Sequence, residues 1–407
     1  MSRKTIRTAV ASLCAVMAAF AAYAVDTTIA INSIAQRWPW NNKVDITYTV
    51  TGGQDVSSSY FCKVVFNTVI NGTPCTIDGS TLGASAAAGQ HTVTWMAPDG
   101  VKSDNCTMSA TICTADVPSG NDYMIIDLST GAITYEGLYG TQAESNARYN
   151  TDVDGANVYK ESKLVLRKIP AGGPYRILAS STKTTDRDYY IGIYPVTRRQ
   201  YELVGGNATS DASEVEAEGN IIPHRPVVRI SWSGLRTDIA STSSIPVVAS
   251  ANTGTFFQRL CYKTGNALAF DLPTDLMFNL AARAGVTTTY FYGDTADSSK
   301  VVCSNNSGRR TAVGSKAANE WGFYDVSGNV WERARDSYVA SNWMSARDDI
   351  FTPIYDPSET RHKWIGGADY STAYTSSFFQ LDRCAGDIAS ADNPQFNVGF
   401  RVSVIMD

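Results

Sequence analysis

Residues 319–333, Asn-Glu-Trp-Gly-Phe-Tyr-Asp-Val-Ser-Gly-Asn-Val-Trp-Glu-Arg, constrain the fold of this 407-residue chain more than any other stretch. Gly322, Gly328 and Asn329 punctuate it too often for a regular element, so it reads as a compact loop. Trp321, Phe323, Tyr324 and Trp331 are too apolar for a loop in water, so the segment must be packed inside a domain. Asp325 and Glu332 add two carboxylates, with Asp336 and Tyr338 just beyond. The glycine between the carboxylates lets backbone carbonyls turn toward the same point, an oxygen set that suits a hard cation such as Ca²⁺. A buried carboxylate can equally cap neighbouring backbone N–H groups, and the residues alone leave both readings open.

The chain is long enough for two or three domains with real cores. It opens with Arg3, Lys4 and Arg7, an apolar run from Ala9 to Ala22, and Ala22-Tyr23-Ala24. A basic start, a short apolar stretch and an A-x-A site make residues 1–24 a cleavable signal peptide, which predicts a secreted or periplasmic protein. Cys14 lies behind Leu13 inside the apolar run, so no lipid attachment is expected. No later stretch approaches the length of a membrane span. Without residues 1–24, 31 basic and 39 acidic residues remain, and the formal charge moves from −5 to −8. An acidic chain without a Lys/Arg cluster is a poor phosphate binder, which sets nucleic-acid partners aside.

Seven cysteines follow residue 24, none in a Cys-x-x-Cys pair, which argues against a zinc ribbon or a thioredoxin-like site. Cys62, Cys75, Cys106 and Cys113 allow three pairings into two bridges, while Cys261, Cys303 and Cys384 are odd in number. Over residues 25–115, Val44, Ile46, Tyr48 and Val50 alternate as one face of a half-buried strand. Tyr60–Phe66, His91–Met96 and Thr107–Ile112 are further β-rich runs separated by polar turns. This spacing predicts an immunoglobulin-like β-sandwich, acting as a spacer or adhesive accessory. Trp38-Pro39-Trp40 could stack on a sugar or simply cover a sandwich edge. Residues 116–160 read as a hairpin around Ser129-Thr130-Gly131 and then, from Gly140 to Asn157, an exposed linker.

A second domain is predicted over residues 161–407. Thr197 and Thr274 are placed as N-caps of short helices, and Phe256, Leu260 and Cys261 share helical spacing up to Gly265. Thr237–Thr253 reads as an insertion, and beyond Gly285 the chain is mostly loop. The stretch 319–332 resembles the signature of the formylglycine-generating enzyme, or sulfatase-modifying factor, family. Four further segments match in the family's order: Lys163-Leu-Val-Leu-Arg-Lys-Ile-Pro170, Tyr190-Ile-Gly-Ile-Tyr-Pro-Val-Thr-x-x-Gln-Tyr201, Leu272-Pro-Thr-Asp-x-x-Phe-x-Leu-Ala-Ala-Arg-x-Gly285 and Asn397-Val-Gly-Phe-Arg-Val402. The resemblance implies an α+β, loop-rich domain of C-type-lectin-like fold behind the sandwich. One departure is Met277, where the family carries the Glu that completes a capping box.

The family's oxidase holds copper on two cysteines, because soft Cu(I) selects thiolates. By spacing from Gly367, Ser371 and Ser376 stand where those cysteines belong, and Cys384 matches a later structural cysteine. Copper and oxidation of a sulfatase cysteine are therefore not expected, although an oxidase with displaced catalytic residues is the alternative. A related iron branch needs three histidines, two at His-x-x-x-His spacing; His91, His224 and His362 are widely separated. No Gly-x-Ser-x-Gly elbow is present. The resemblance places a structural Ca²⁺ on the side chains of Asp325 and Glu332 and the carbonyls of Gly328 and Val330. A second calcium site near Asn305-Asn306 lacks its downstream Asp.

The loop Ala368–Phe379 is built from Ala, Asp, Tyr, Ser, Thr and Phe, the composition of binding paratopes. Each of its residues can be encoded by a codon ending in a pyrimidine, and it looks like the ligand face of receptors diversified by retroelements. We expect Asp369, Tyr370, Tyr374 and Phe378 to contact an extracytoplasmic ligand or protein, making the chain a non-catalytic binding member of the family.

Overall fold

Val44, Ile46, Tyr48 and Val50 do share one buried face, on β2 (Lys43–Thr51), as alternation requires. The computed structural model describes residues 28–406 except 38–41, 52–61, 71, 79–81, 83, 85–88, 100, 102–105, 115–119, 151–156, 207–221, 237–253, 339–346, 348, 356–361, 375–376, 382–384 and 387–393. The signal segment 1–24, Trp38-Pro39-Trp40, Ser376 and Cys384 thus lie outside the described residues. The chain divides into two units near residue 117.

In the first unit β1 (Thr28–Gln36), β2 and β5 (Gly89–Met96) form one antiparallel sheet, in the order β1-β2-β5. The strands β3 (Cys62–Ile70), β4 (Thr73–Asp78) and β6 (Cys106–Thr114) form another, in the order β4-β3-β6. Tyr48 and Trp95 of the first sheet share one hydrophobic cluster with Val64, Phe66 and Met108 of the second. On the outer face Arg37 pairs with Asp45 at 2.9 Å, and Thr47 and Thr92 bond through their hydroxyls at 3.1 Å. Cys75 and Cys106 are free thiols on the two strands flanking β3.

The second unit begins earlier than residue 161. The hairpin is present as β7 (Tyr123–Asp127) and β8 (Ile133–Glu136), with Asp127 Oδ1 accepting the N–H groups of Ser129 and Thr130 at 2.9 and 3.0 Å. The stretch expected to be an exposed linker instead carries α1 (Gln142–Asn150), with Tyr149 buried. Its composition is polar, but Thr141 and Glu144 close a reciprocal cap, Glu144 accepting from Thr141 N at 2.6 Å. Tyr149 donates to buried Glu136 at 2.8 Å, which anchors the helix.

After α2 (Val158–Glu161) come β9 (Lys163–Ile169), the hairpin strands β10 (Gly172–Arg176) and β11 (Thr182–Thr185), and β12 (Tyr189–Gly192). The helices α3 (Arg198–Leu203), α4 (Trp232–Leu235) and α5 (Phe256–Lys263) follow, and Thr197 and Thr255 each close a capping box. The short β13 (Phe270–Asp271) leads into α6 (Asp275–Arg283), all of whose residues are buried. Half of the capping box survives, and a second N–H is capped from a distance. Thr274 Oγ1 accepts from Met277 N at 3.1 Å, while Asp336 Oδ2 takes the Asp275 N–H at 2.7 Å.

The last strands are β14 (Trp331–Ser337), β15 (His362–Ile365), β16 (Ala385–Gly386), β17 (Val398–Phe400) and β18 (Ser403–Ile405). A six-stranded sheet runs β13-β18-β12-β9-β7-β8, and a four-stranded sheet β16-β15-β14-β17, in which β14 and β17 are parallel. Both faces of the larger sheet are covered. Tyr123, Ile125, Val165 and Ile191 enter one core, while Met124, Ile126, Leu166 and Tyr190 enter another. Two buried faces explain why β7 reads as a continuous apolar run. Among the described residues no helix is long and apolar enough to cross a membrane.

Candidate functional site

Residues 319–330 fold as a loop whose polar side chains bond to backbone from several elements, while Trp331, Glu332 and Arg333, expected to belong to it, open β14 and pair with β17. Asn319 Nδ2 donates to Ala281 O and Ala282 O at 2.8 and 3.0 Å, satisfying carbonyls at the end of α6. Its Oδ1 accepts from Trp321 N and Phe323 N at 3.1 and 3.0 Å. Asn329 Oδ1 takes the Thr311 N–H at 3.1 Å, and Ser327 Oγ donates to Gly367 O and Phe379 O at 3.2 and 2.9 Å. Gly328 stands at φ 86°, where a Cβ would come within 2.6 Å of Val302 O, so only glycine fits.

Arg401 crosses the middle of this frame. Its Nε meets both Glu332 oxygens at 3.0 and 2.8 Å, and its Nη1 donates to Gly192 O and Ile193 O at 3.1 and 2.9 Å. Its Nη2 donates to Tyr324 O. Asp325, at φ 50°, accepts the Gly314 N–H on Oδ2 at 2.8 Å, which is backbone capping. Burial pushes the Glu332 carboxyl up to about 7, against the pull of Arg401, and nearby Asp325 raises it further. Asp325 is also raised by burial, with Gly314, Arg401 and Lys160 opposing.

Asp325 and Glu332 lie near Arg401, with Lys160 also acting on Asp325, and every donor present is oxygen. That chemistry fits a hard cation, with Arg401 already holding part of Glu332. Among the described residues no three His, Cys, Asp or Glu side chains gather as a metal group, so the carbonyls of Gly328 and Val330 would have to complete any shell. Of the two expected copper-thiolate positions, Ser371 lies among the described residues. Ser371 Oγ, at one expected thiolate position, is a hydroxyl that donates to Asp369 Oδ1 at 2.6 Å.

The 366–379 loop rises from Gly366, Gly367 and Ala368, all at positive φ. A Cβ on Gly367 would lie 2.6 Å from Phe378 O. Asp369, expected at the ligand face, is buried and is the loop's internal anchor. It accepts from Ser371 N and Oγ at 2.6 Å, from Thr372 Oγ1 at 3.3 Å and from Asn397 Nδ2 at 2.8 Å. Tyr374 is half-buried: its N–H donates to Asn305 at 2.7 Å, and its hydroxyl meets that of Tyr292 and accepts from Asp297 N at 2.8 Å. Tyr370 is partly exposed, and Phe378 is 44% exposed with its edge 5.7 Å from the Trp331 ring.

The expected cation residues Asp325, Gly328 and Val330 thus share one buried loop that leads into Glu332 on β14, and the expected ligand residues lie on one neighbouring loop. Sequence reasoning gave no role to Arg401, although a buried Glu332 requires a cationic partner. It also passed over Phe396, 43% exposed and 6.5 Å from the Tyr370 ring.

The profile of the sulfatase-modifying factor enzyme 1-like domain matches residues 147–405, so the match begins within α1. No match was found among curated proteins. Among solved structures, Treponema denticola variable protein 1 is 18% identical, with 60% of this chain and 95% of that chain covered at a TM-score of 0.45. PvdO from Pseudomonas aeruginosa is 17% identical over 60% of this chain and 95% of its own, with a TM-score of 0.44. CarF is 16% identical over 60% and 99%, with a TM-score of 0.40.

Proposed function

The chain belongs to the sulfatase-modifying factor enzyme 1-like domain family, and from that premise we propose that it is an exported, non-catalytic member that binds a partner through its 368–379 loop. One observation carries the reading. The loop's carboxylate and backbone groups are tied inward to Asn305, Asn329 and Asn397, while Phe378 is exposed and Tyr370 partly so. A rigid base under exposed rings is a binding arrangement, since aromatic anchors held in place lose little entropy on contact.

Ser371 supplies an oxygen where copper chemistry needs sulfur, so the proposal includes no oxidation step. Asp325 and Glu332, with the carbonyls of Gly328 and Val330, would hold a structural Ca²⁺ when both carboxylates are ionised. Export through residues 1–24, to the periplasm or outside the cell, belongs to the same reading. So does an immunoglobulin-like sandwich for the first unit: strand orders β1-β2-β5 and β4-β3-β6 correspond to A-B-E and C′-C-F. It would serve as a spacer.

The catalytic alternative is tested directly. Protein reconstituted with Cu(I) is incubated with a cysteine-containing sulfatase peptide and oxygen, and the peptide mass is followed. An unchanged cysteine is expected; copper-dependent formylglycine would overturn the non-catalytic reading.

A further inference from the structure

We propose that Tyr292 and Asn305, both outside the 368–379 loop, are positioning residues of the binding surface: they hold Tyr374 as an internal peg, so that the loop meets its partner already shaped. The inference rests on the partner-binding reading and deepens it.

The segment 288–307 takes hold of the loop at several points. Tyr374 N–H donates to Asn305 Oδ1 at 2.7 Å, and the neighbouring Ser304 N–H donates to Thr372 O at 3.1 Å. The Tyr374 hydroxyl meets that of Tyr292 and accepts from Asp297 N at 2.8 Å. Just beyond the loop, Leu381 N–H donates to Thr289 O at 3.1 Å. Tyr374 is thus held at its backbone and at its hydroxyl by one segment. Turning it toward a partner would break both attachments.

The holding segment is itself fixed. Tyr290 and Gly293 exchange backbone bonds at 3.0 and 3.2 Å, and the rings of Tyr290 and Tyr292 stack at 5.3 Å with planes 7° apart. Phe291, between them, is buried in the core. Asn306 donates to Ser298 O and Val301 O at 2.7 and 2.9 Å and accepts from Cys303 N at 3.3 Å, which sets the turn that carries Asn305. Asp369 therefore anchors the first half of the loop, and Tyr292 with Asn305 anchors Tyr374 in the second. Such a peg aids binding by reducing the entropy the loop loses on contact, without touching the partner.

That role has a kinetic signature. A loosened loop spends less time in the competent shape, and apparent affinity falls by that fraction. The loss appears in association, because a complex once formed keeps its ring contacts. Removing a contact ring speeds dissociation instead.

The probe is a dodecapeptide selected from a random phage library on the full chain, with counter-selection on Phe378→Ala. Tyr292→Phe, Tyr374→Phe and Asn305→Ala should each lower kon about fivefold, the size of one net hydrogen bond, and change koff less than about twofold. Phe378→Ala should raise koff. Adding Tyr292→Phe to Tyr374→Phe should cost nothing further, since the shared bond is already gone. Asn305→Asp, which keeps the acceptor oxygen, should retain the parental kon. In the free protein, Tyr292→Phe should quicken amide exchange at Ser304 and Tyr374 and leave β12 unchanged. Parental exchange at both amides overturns the proposal, as does quickened exchange throughout the domain or an effect of Tyr292→Phe carried by koff. If Phe378→Ala weakens binding while Tyr292→Phe leaves kon unchanged, the loop remains the binding face and only the positioning role falls. If no selected peptide needs Phe378, the binding reading falls and this inference with it.

Discussion

Arg401 is retained in the core because it makes five contacts that no smaller cation on a flexible stem can reproduce. Its planar fork reaches Glu332 on one side and three carbonyls on the other. Arg401→Met would strand a buried carboxylate and leave those carbonyls unbonded, at a cost of about 3–5 kcal/mol. Arg401→Lys should recover less than half of it, because one ammonium cannot span both sets. Urea unfolding of the three proteins measures this; a loss below about 1 kcal/mol for Arg401→Met would mean that the ion pair is not a structural link. The residue stood in the closing motif of the sequence without an assigned role. Its partner lies 69 positions away, and no spacing pattern connects them. Buried Glu332 signalled that a cation was needed, but not which one.

Elements were legible where local chemistry decides them. β2 follows from alternation, the 123–136 hairpin from its turn, and the starts of α3 and α6 from Thr197 and Thr274. α1 was misread because its nine residues are mostly polar; the Thr141/Glu144 cap was the signal that composition obscured. The loop base was legible only in part. Gly366 and Gly367 announce a turn, but Ala368 continues it at φ 74° while fully buried. An L-residue there is strained by about 1–2 kcal/mol. Ala368→Gly relieves that strain against a larger entropy loss on folding, so stability should change by less than about 1 kcal/mol. Ala368→Val adds a β-branch in a closed space and should cost at least about 2 kcal/mol. Thermal melts of both variants check this. Equal losses would show that volume, and not backbone conformation, governs the position.

Across the whole molecule, sequence pattern exposed two units and the family of the second, because hydrophobic periodicity and five ordered motifs both survive in a single chain. It did not place the boundary, since a strand pair and a helix that look like connector complete the second unit's sheet and core. That core also buries Asp325 and Glu332, and burial raises both carboxyls, which sets a pH dependence. Burial pushes the Glu332 carboxyl up to about 7 in the folded chain, from an ordinary 4.5. A carboxyl raised on folding holds its proton more tightly in the native state, so its stabilising contribution is complete below about pH 4.5 and is lost as pH rises through about 7. In chelator, stability should therefore fall between pH 5 and 8, on the order of 2–3 kcal/mol at about 1.4 kcal/mol per unit. Glu332→Gln, which cannot ionise, should flatten the fall. Calcium binds the deprotonated carboxylates, so it should raise the melting temperature at pH 8, have little effect at pH 5, and lose its effect in Glu332→Gln. Identical melting profiles with calcium and with chelator would leave Arg401 as the loop's cation and remove the metal from the proposal. A chelated protein that gains stability from pH 5 to 8 would show that Glu332 is ionised throughout, held so by Arg401.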